Sequence, residues 1–138
     1  MKNLTFVFLL VLTVVRVSAQ TPEHEKLVRA YYAGFEKHNW NITAAALAPD
    51  FTFTSPAPDN HINLKEFHEK CWPTNRFFES VNLLQMTEKG NDLYLLVEIK
   101  TTDHKTVRNI DRYQFKNGKI AAIECFFGYG EGYPGHKK

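Results

Sequence analysis

Apolar and polar residues alternate most regularly over residues 105–128, where two runs flank the pair Asn117-Gly118. Alternation of this length is the period of a half-buried strand. Asn-Gly between two such runs predicts a hairpin, because both central residues of a type I′ turn need positive φ. In the first run Val107, Asn109, Asp111, Tyr113 and Phe115 share one face, and Thr106, Arg108, Ile110, Arg112 and Gln114 the other. The first face is mostly apolar and is expected to point inward. In the second run Ile123, Cys125 and Phe127 are expected on one face, with Ile120, Ala122, Glu124 and Phe126 opposite. Two more long strands are expected over 77–89 and 92–102, joined across Gly90-Asn91. The later one carries Leu93, Leu95, Val97 and Ile99 on one face and Tyr94, Leu96, Glu98 and Lys100 on the other. Both faces are rather apolar, which suits a sheet covered by helices on one side and by a partner subunit on the other.

Upstream the period changes to that of helices. Thr21-Pro22, followed by Glu23 and Glu25, opens a helix whose stripe is Leu27, Val28, Tyr31, Tyr32 and Phe35. Tyr31 stands in the row Leu27, Tyr31, Phe35 and is expected to face the core. His38-Asn39-Trp40 breaks this helix, a short second helix follows over 42–48, and Pro49 ends it. Residues 51–54 alternate as a short strand that stops at Ser55-Pro56-Ala57-Pro58. Asn63 caps a third helix, with Glu66 at capping-box spacing and Leu64, Phe67, Cys71 and Trp72 on its apolar side, and Pro73 stops it. This order predicts an α+β domain, a strongly bent antiparallel sheet wrapped over three N-terminal helices. The open end of such a cone is a natural ligand cavity.

Residues 1–19 read as a secretory signal, with Lys2 before an apolar stretch over 4–15 and Val17-Ser18-Ala19 as a small-residue cleavage site. The expected domain is 20–128, with a flexible tail over 129–138. Localisation is then secreted or periplasmic, with no membrane partner once the signal is removed. Cleavage would take away two of the 17 basic residues, Lys2 and Arg16, and none of the 15 acids, so the formal charge falls from +2 to zero. Nothing in that balance points to nucleic acid. Cys71 and Cys125 are the two cysteines, and either a disulfide or two unlinked buried thiols is compatible with their separation.

Chemistry concentrates on the inward face of the 105–116 run. A carboxylate among apolar neighbours is costly unless it is hydrogen-bonded or takes up a proton, which singles out Asp111 and, beside it, Asn109. His68, next to the apolar side of the third helix, is a candidate base, and Glu98 another if its strand turns it inward. Phe53, Ser55, Phe67, Trp72, Tyr113, Cys125 and Phe127 are the remaining candidates for a ligand-binding lining. The six histidines show no helical pair and no Cys-His cluster, so no metal or other cofactor is expected. Neither Ser55 nor Cys125 has a visible histidine and acid relay. A small-molecule ligand and a homodimer are the expected partners.

The stretches VRAYYAGFEKHN, FTFTSP, KEFHEKCW and RNIDRYQFKNGKIAAIECFFG resemble the NTF2-like superfamily, particularly its SnoaL-like branch, over nearly the whole domain. The resemblance implies the NTF2-like cone. It leaves function open, since the superfamily holds isomerases, cyclases, dehydratases, epoxide hydrolases and proteins without catalysis. Ketosteroid isomerase uses a helix tyrosine and a protonated strand aspartic acid as donors to an oxyanion, and the matching positions here are Tyr31 and Asp111. Its general base, expected just before the proline that follows the first strand, is replaced by Ser55, which disfavours steroid isomerisation. Arg108 and Asp111 lie on opposite faces of one strand, unlike the arginine with two aspartates of a limonene-epoxide-hydrolase-like site. The resemblance therefore implies a small, largely apolar ligand, with isomerase- or dehydratase-like acid-base chemistry at Asp111, Tyr31 and His68. The alternative is a non-catalytic ligand-binding or dimeric association domain.

Overall fold

A computed structural model describes residues 21–56 and 58–128. The signal segment expected over 1–19 and the tail expected over 129–138 lie outside the described residues. Helices α1 (Thr21–Glu36) and α2 (Trp40–Ala46) come first, followed by strands β1 (Leu47–Thr54) and β2 (Ile62–Asn63). Helix α3 (Leu64–Lys70) and a 3-10 turn (Trp72–Phe77) lead into β3 (Phe78–Lys89), β4 (Asp92–Thr101), β5 (Thr106–Lys116) and β6 (Lys119–Gly128).

The strands form one six-stranded sheet in the order β2-β1-β6-β5-β4-β3. Its four long strands are antiparallel, as the alternating runs require. The shorter β1 joins this antiparallel sheet through a parallel pairing with β6. Register slips at three places in the long-strand ladders bend the sheet, since each extra residue coils the strand that carries it. Asn117 and Gly118 both have positive φ, as the hairpin needs. Between β3 and β4 only Gly90 does, the glycine-first pattern of a tight hairpin.

The inward face of β5 is as the alternation predicts. Asn109, Asp111, Tyr113 and Phe115 are buried, and Leu93, Leu95, Val97 and Ile99 of β4 pack beside them. Phe35, Phe51, Phe53 and Phe67 fill the space between this face and the helices, each burial being worth about 1.5–3 kcal/mol. One strand departs from the pattern. Ile120, expected outside, is fully buried, because Phe115 pairs with Ile120 while Gln114 pairs with Ala122, so the extra residue switches faces.

The segment before the core also differs from expectation. Helix α2 ends at Ala46 and its C-cap Leu47 is extended (φ −93°, ψ 146°), so residues 47–49 belong to β1 and not to the helix. Proline disfavours the helical conformation in the residue before it, and the ladder to β6 shifts register between Leu47 and Thr52, the stretch that holds Pro49. Asn63 and Glu66 do form the reciprocal capping box that starts α3.

Candidate functional site

Between α1, α3 and the inward face of the sheet lies a cavity of about 230 Å³. Single- or two-ring molecules suit it, since drug-sized ligands fill pockets of about 300–1,000 Å³. Its walls are apolar, from Phe35, Phe53, Phe67, Phe78, Ile99 and Ile123, and its polar lining includes the deeply buried Asp111 and the half-buried Asp59.

Asp111 is 3% exposed. Strand alternation turns its side chain inward, and α1 lays two tyrosines over that strand. Tyr32 Oη donates to Asp111 Oδ2 at 2.5 Å and Tyr113 Oη donates to the same oxygen at 3.1 Å. Oδ1 has no hydrogen-bond partner, and neither does the buried Oδ1 of Asn109 two residues earlier. Cys125 is the residue directly across the ladder from Asp111. Burial raises the Asp111 pKa, opposed by the Cys125 thiol and the two phenols. Burial, followed by the neighbouring Asp111, pushes Tyr31 and Tyr32 well above the ordinary phenol range, so both remain protonated donors.

Tyr31 and Asp111 both line the cavity, and the phenol that bonds Asp111 is that of Tyr32, a residue not among the candidates. The Tyr31 hydroxyl makes no hydrogen bond among the described residues, and its ring packs across Tyr32 with centroids 5.0 Å apart. Periodicity places both tyrosines on the inner stripe and does not say which one reaches the strand.

Phe53, Phe67, Asn109, Cys125 and Phe127 line the cavity as expected, with Phe127 half exposed at its rim. Tyr113 stands behind the wall, bonded to Asp111, and Trp72 packs against Phe35 and Trp40 without reaching the cavity. His68 is exposed, stacked on Trp40 at 4.2 Å, and lies outside the lining, so it is not placed to act as a base there. Glu98 is on the opposite face, bonded to Arg108 at 2.9 Å, and that guanidinium lowers its pKa. Arg108 and Asp111 thus point to opposite faces, as their odd spacing requires.

The lining also holds a group the sequence did not announce. Asp59 lines the cavity, with the Cys71 thiol 3.8 Å from its Oδ2. Ser55 is buried and does not itself line the cavity; its Oγ donates to Asp59 Oδ2 at 3.1 Å. In the sequence Asp59 sits in a proline-punctuated loop, with nothing to show that the loop folds back over β1. Cys71 and Cys125 are free thiols lining the same cavity. Burial pushes the Cys71 thiol up to about 12 and raises Cys125 as well, so neither is poised as a thiolate nucleophile. Among the described residues no three of His, Cys, Asp and Glu converge as a metal site would need.

The profile of the SnoaL-like domain matches residues 28–123. No curated protein matches the chain by sequence. Among solved structures, an NTF2-like protein of unknown function from Cytophaga hutchinsonii ATCC 33406 superposes with a TM-score of 0.64 at 21% identity, over 75% of this chain and 88% of that one. A candidate ketosteroid isomerase from Kribbella flavida DSM 17836 gives 0.66 at 16% identity, over 86% and 87%. AclR, a candidate hydroxylase from Streptomyces galilaeus, gives 0.66 at 12% identity, over 77% and 79%. At these identities the likeness is one of fold.

Proposed function

The chain belongs to the SnoaL-like domain family, and on that premise we propose that it binds a small, largely apolar molecule in the cone cavity, with Asp111 as the group that meets the ligand. The supporting observation is the Asp111 carboxyl. One oxygen is fixed by two phenols and the other accepts no geometrically formed hydrogen bond, with only the weak donor thiol of Cys125 beside the carboxyl, on the wall of a largely apolar cavity. A buried polar atom without a partner costs about 1–3 kcal/mol, which a ligand hydrogen bond would recover. The positions of His68 and Glu98 outside the cavity favour binding over turnover. What favours turnover is the raised pKa of Asp111, which suits a group that hands over or takes one proton, as isomerase- or dehydratase-like chemistry needs. A candidate isomerase and a candidate hydroxylase share this fold, so the fold alone selects neither.

The test is a thermal-shift screen of single- and two-ring ketones and alcohols on the wild type and on Asp111→Asn. A compound that raises the melting temperature of the wild type and raises that of Asp111→Asn less is the expected result. Equal shifts in both proteins would remove Asp111 from the binding reading.

The reading includes export, resting on Lys2, the apolar stretch over 4–15 and the small residues Val17, Ser18 and Ala19. Among the described residues no helix is long and apolar enough to cross a membrane. It also includes a homodimer. Leu96, Ile110 and Phe126 are directly paired across β4, β5 and β6 on the outer face, and Ile110 and Phe126 are 50% and 49% exposed. Ion pairs flank that row, Arg108 with Glu98 on one side and Arg112 with Asp92 and Glu124 on the other. An apolar strip with charged borders is the anatomy of a self-complementary interface. Sedimentation at micromolar concentration should give twice the chain mass, and Ile110→Lys should give the monomer. A wild-type monomer would count against the dimer.

A further inference from the structure

Asp59, half-buried in the cavity lining, shares one feature with Asp111: its side-chain donors meet a single carboxyl oxygen, although its other oxygen is not buried as that of Asp111 is. One carboxyl oxygen is engaged by side-chain donors, Ser55 Oγ at 3.1 Å and the Cys71 thiol at 3.8 Å, both on Oδ2. The Ser55 N–H donates to the Asp59 carbonyl at 2.9 Å, so the loop is tied at both the backbone and the side chain. Oδ1 makes no hydrogen bond among the described residues. Lys70, the one cation in the lining, is turned to Glu66 at 3.2 Å, and no salt bridge among the described residues reaches Asp59. A carboxyl held at an apolar cavity without a counter-charge is satisfied by a donor or a cation from outside, and repels an anion.

We propose that Asp59 is a second ligand-contacting carboxyl of this cavity, taking a hydroxyl or ammonium group at the outer end of the apolar molecule. This rests on the binding reading above and narrows its ligand class. The molecule is an apolar frame with a polar group for Asp111 at its inner end and a hydrogen-bond donor at its outer end. A carboxylate at the outer end is excluded by like charge. Ser55 is a positioning residue, acting through Asp59.

Four single-ring phenols that differ in one tail test this by calorimetric and NMR titration of the full protein: para-ethylphenol with no polar tail, tyrosol with a hydroxyl, tyramine with an ammonium and para-hydroxyphenylpropionate with a carboxylate. In the wild type tyrosol or tyramine should bind about tenfold tighter than para-ethylphenol, as one charge-assisted hydrogen bond gives. The propionate should bind weakest, and the order of tyrosol and tyramine separates the hydroxyl from the ammonium. In Asp59→Asn the four affinities should converge. In Asp111→Asn all four should weaken together with their order kept. An order that survives Asp59→Asn overturns this proposal and leaves the cavity reading standing. Failure of all four phenols to bind the wild type overturns both. Asparagine keeps the acceptor for Ser55, so the fold is expected to hold. Should it not, Ser55→Ala carries the test, and an undiminished preference for the donor tails there overturns the proposal equally.

Discussion

Gly34→Ala is expected to destabilise the protein by about 3 kcal/mol or more, a fall of about 15 °C in melting temperature for a domain of this size. In an ordinary helix the same change would stabilise by about 1 kcal/mol, because alanine is the better helix former. Here α1 and α2 cross at Gly34 with no room for a side chain. A Cβ would lie 2.0 Å from Thr43 Oγ1, 2.6 Å from Thr43 N and 3.0 Å from Thr43 Cα. Thr43 is fully buried and its hydroxyl donates to the Tyr31 carbonyl at 3.1 Å, so it has no free space to swing into. Combining Gly34→Ala with Thr43→Ala should recover only part of the loss, since the backbone nitrogen remains too close. Chemical and thermal melts of the two variants decide it, and a net gain in stability from Gly34→Ala would mean that the helices do not approach this closely. The consequence for function follows from position: Tyr31 and Tyr32 precede Gly34 on the same helix, so a shifted α1 would move both phenols over the cavity.

How far the sequence announced this arrangement depends on what kind of order each feature carries. Strand alternation has a period of two, so the inward set of β5, from Asn109 to Phe115, was legible, and with it the buried acid. Capping and turn chemistry are equally local, and the Asn63 box and the Asn117-Gly118 turn stand where their residues require. Ile120 was misplaced because one extra residue reverses every face beyond it, and no local signal marks the bulge. Tyr31 and Tyr32 are neighbours on a wide apolar stripe, and which of them reaches Asp111 depends on the rotation of α1 against β5, a tertiary quantity. Asp59 was invisible for a similar reason. Its role depends on a loop closing back through Ser55, and that serine drew notice for itself, as a lining candidate and as the replacement for an expected base, not as a tether for Asp59. His68 and Glu98 were proposed for their residue type, and their strand and helix faces turned both away.

Asp111→Leu is expected to cost about 3 kcal/mol, because Tyr32 and Tyr113 would each lose the acceptor of a buried hydroxyl, at about 1–3 kcal/mol per group. Asp111→Asn should cost less, since its amide oxygen can still accept from both. The pH dependence separates the charge from the hydrogen bonds. Burial raises the folded pKa above its unfolded value of about 3.9, so in the window between the two the native state holds a proton that the unfolded chain has released. Stability contributed by this group is therefore present below the unfolded value and is lost as pH rises through the window. Asparagine has no such proton, so the advantage of the wild type over Asp111→Asn should be largest in acid and shrink as pH rises, in urea titrations at a series of pH values. An advantage that grows with pH would mean that the two phenols and the Cys125 thiol outweigh burial. Asp111 would then meet its ligand as a carboxylate acceptor, and acid-base turnover would lose its proton donor while binding kept its anchor.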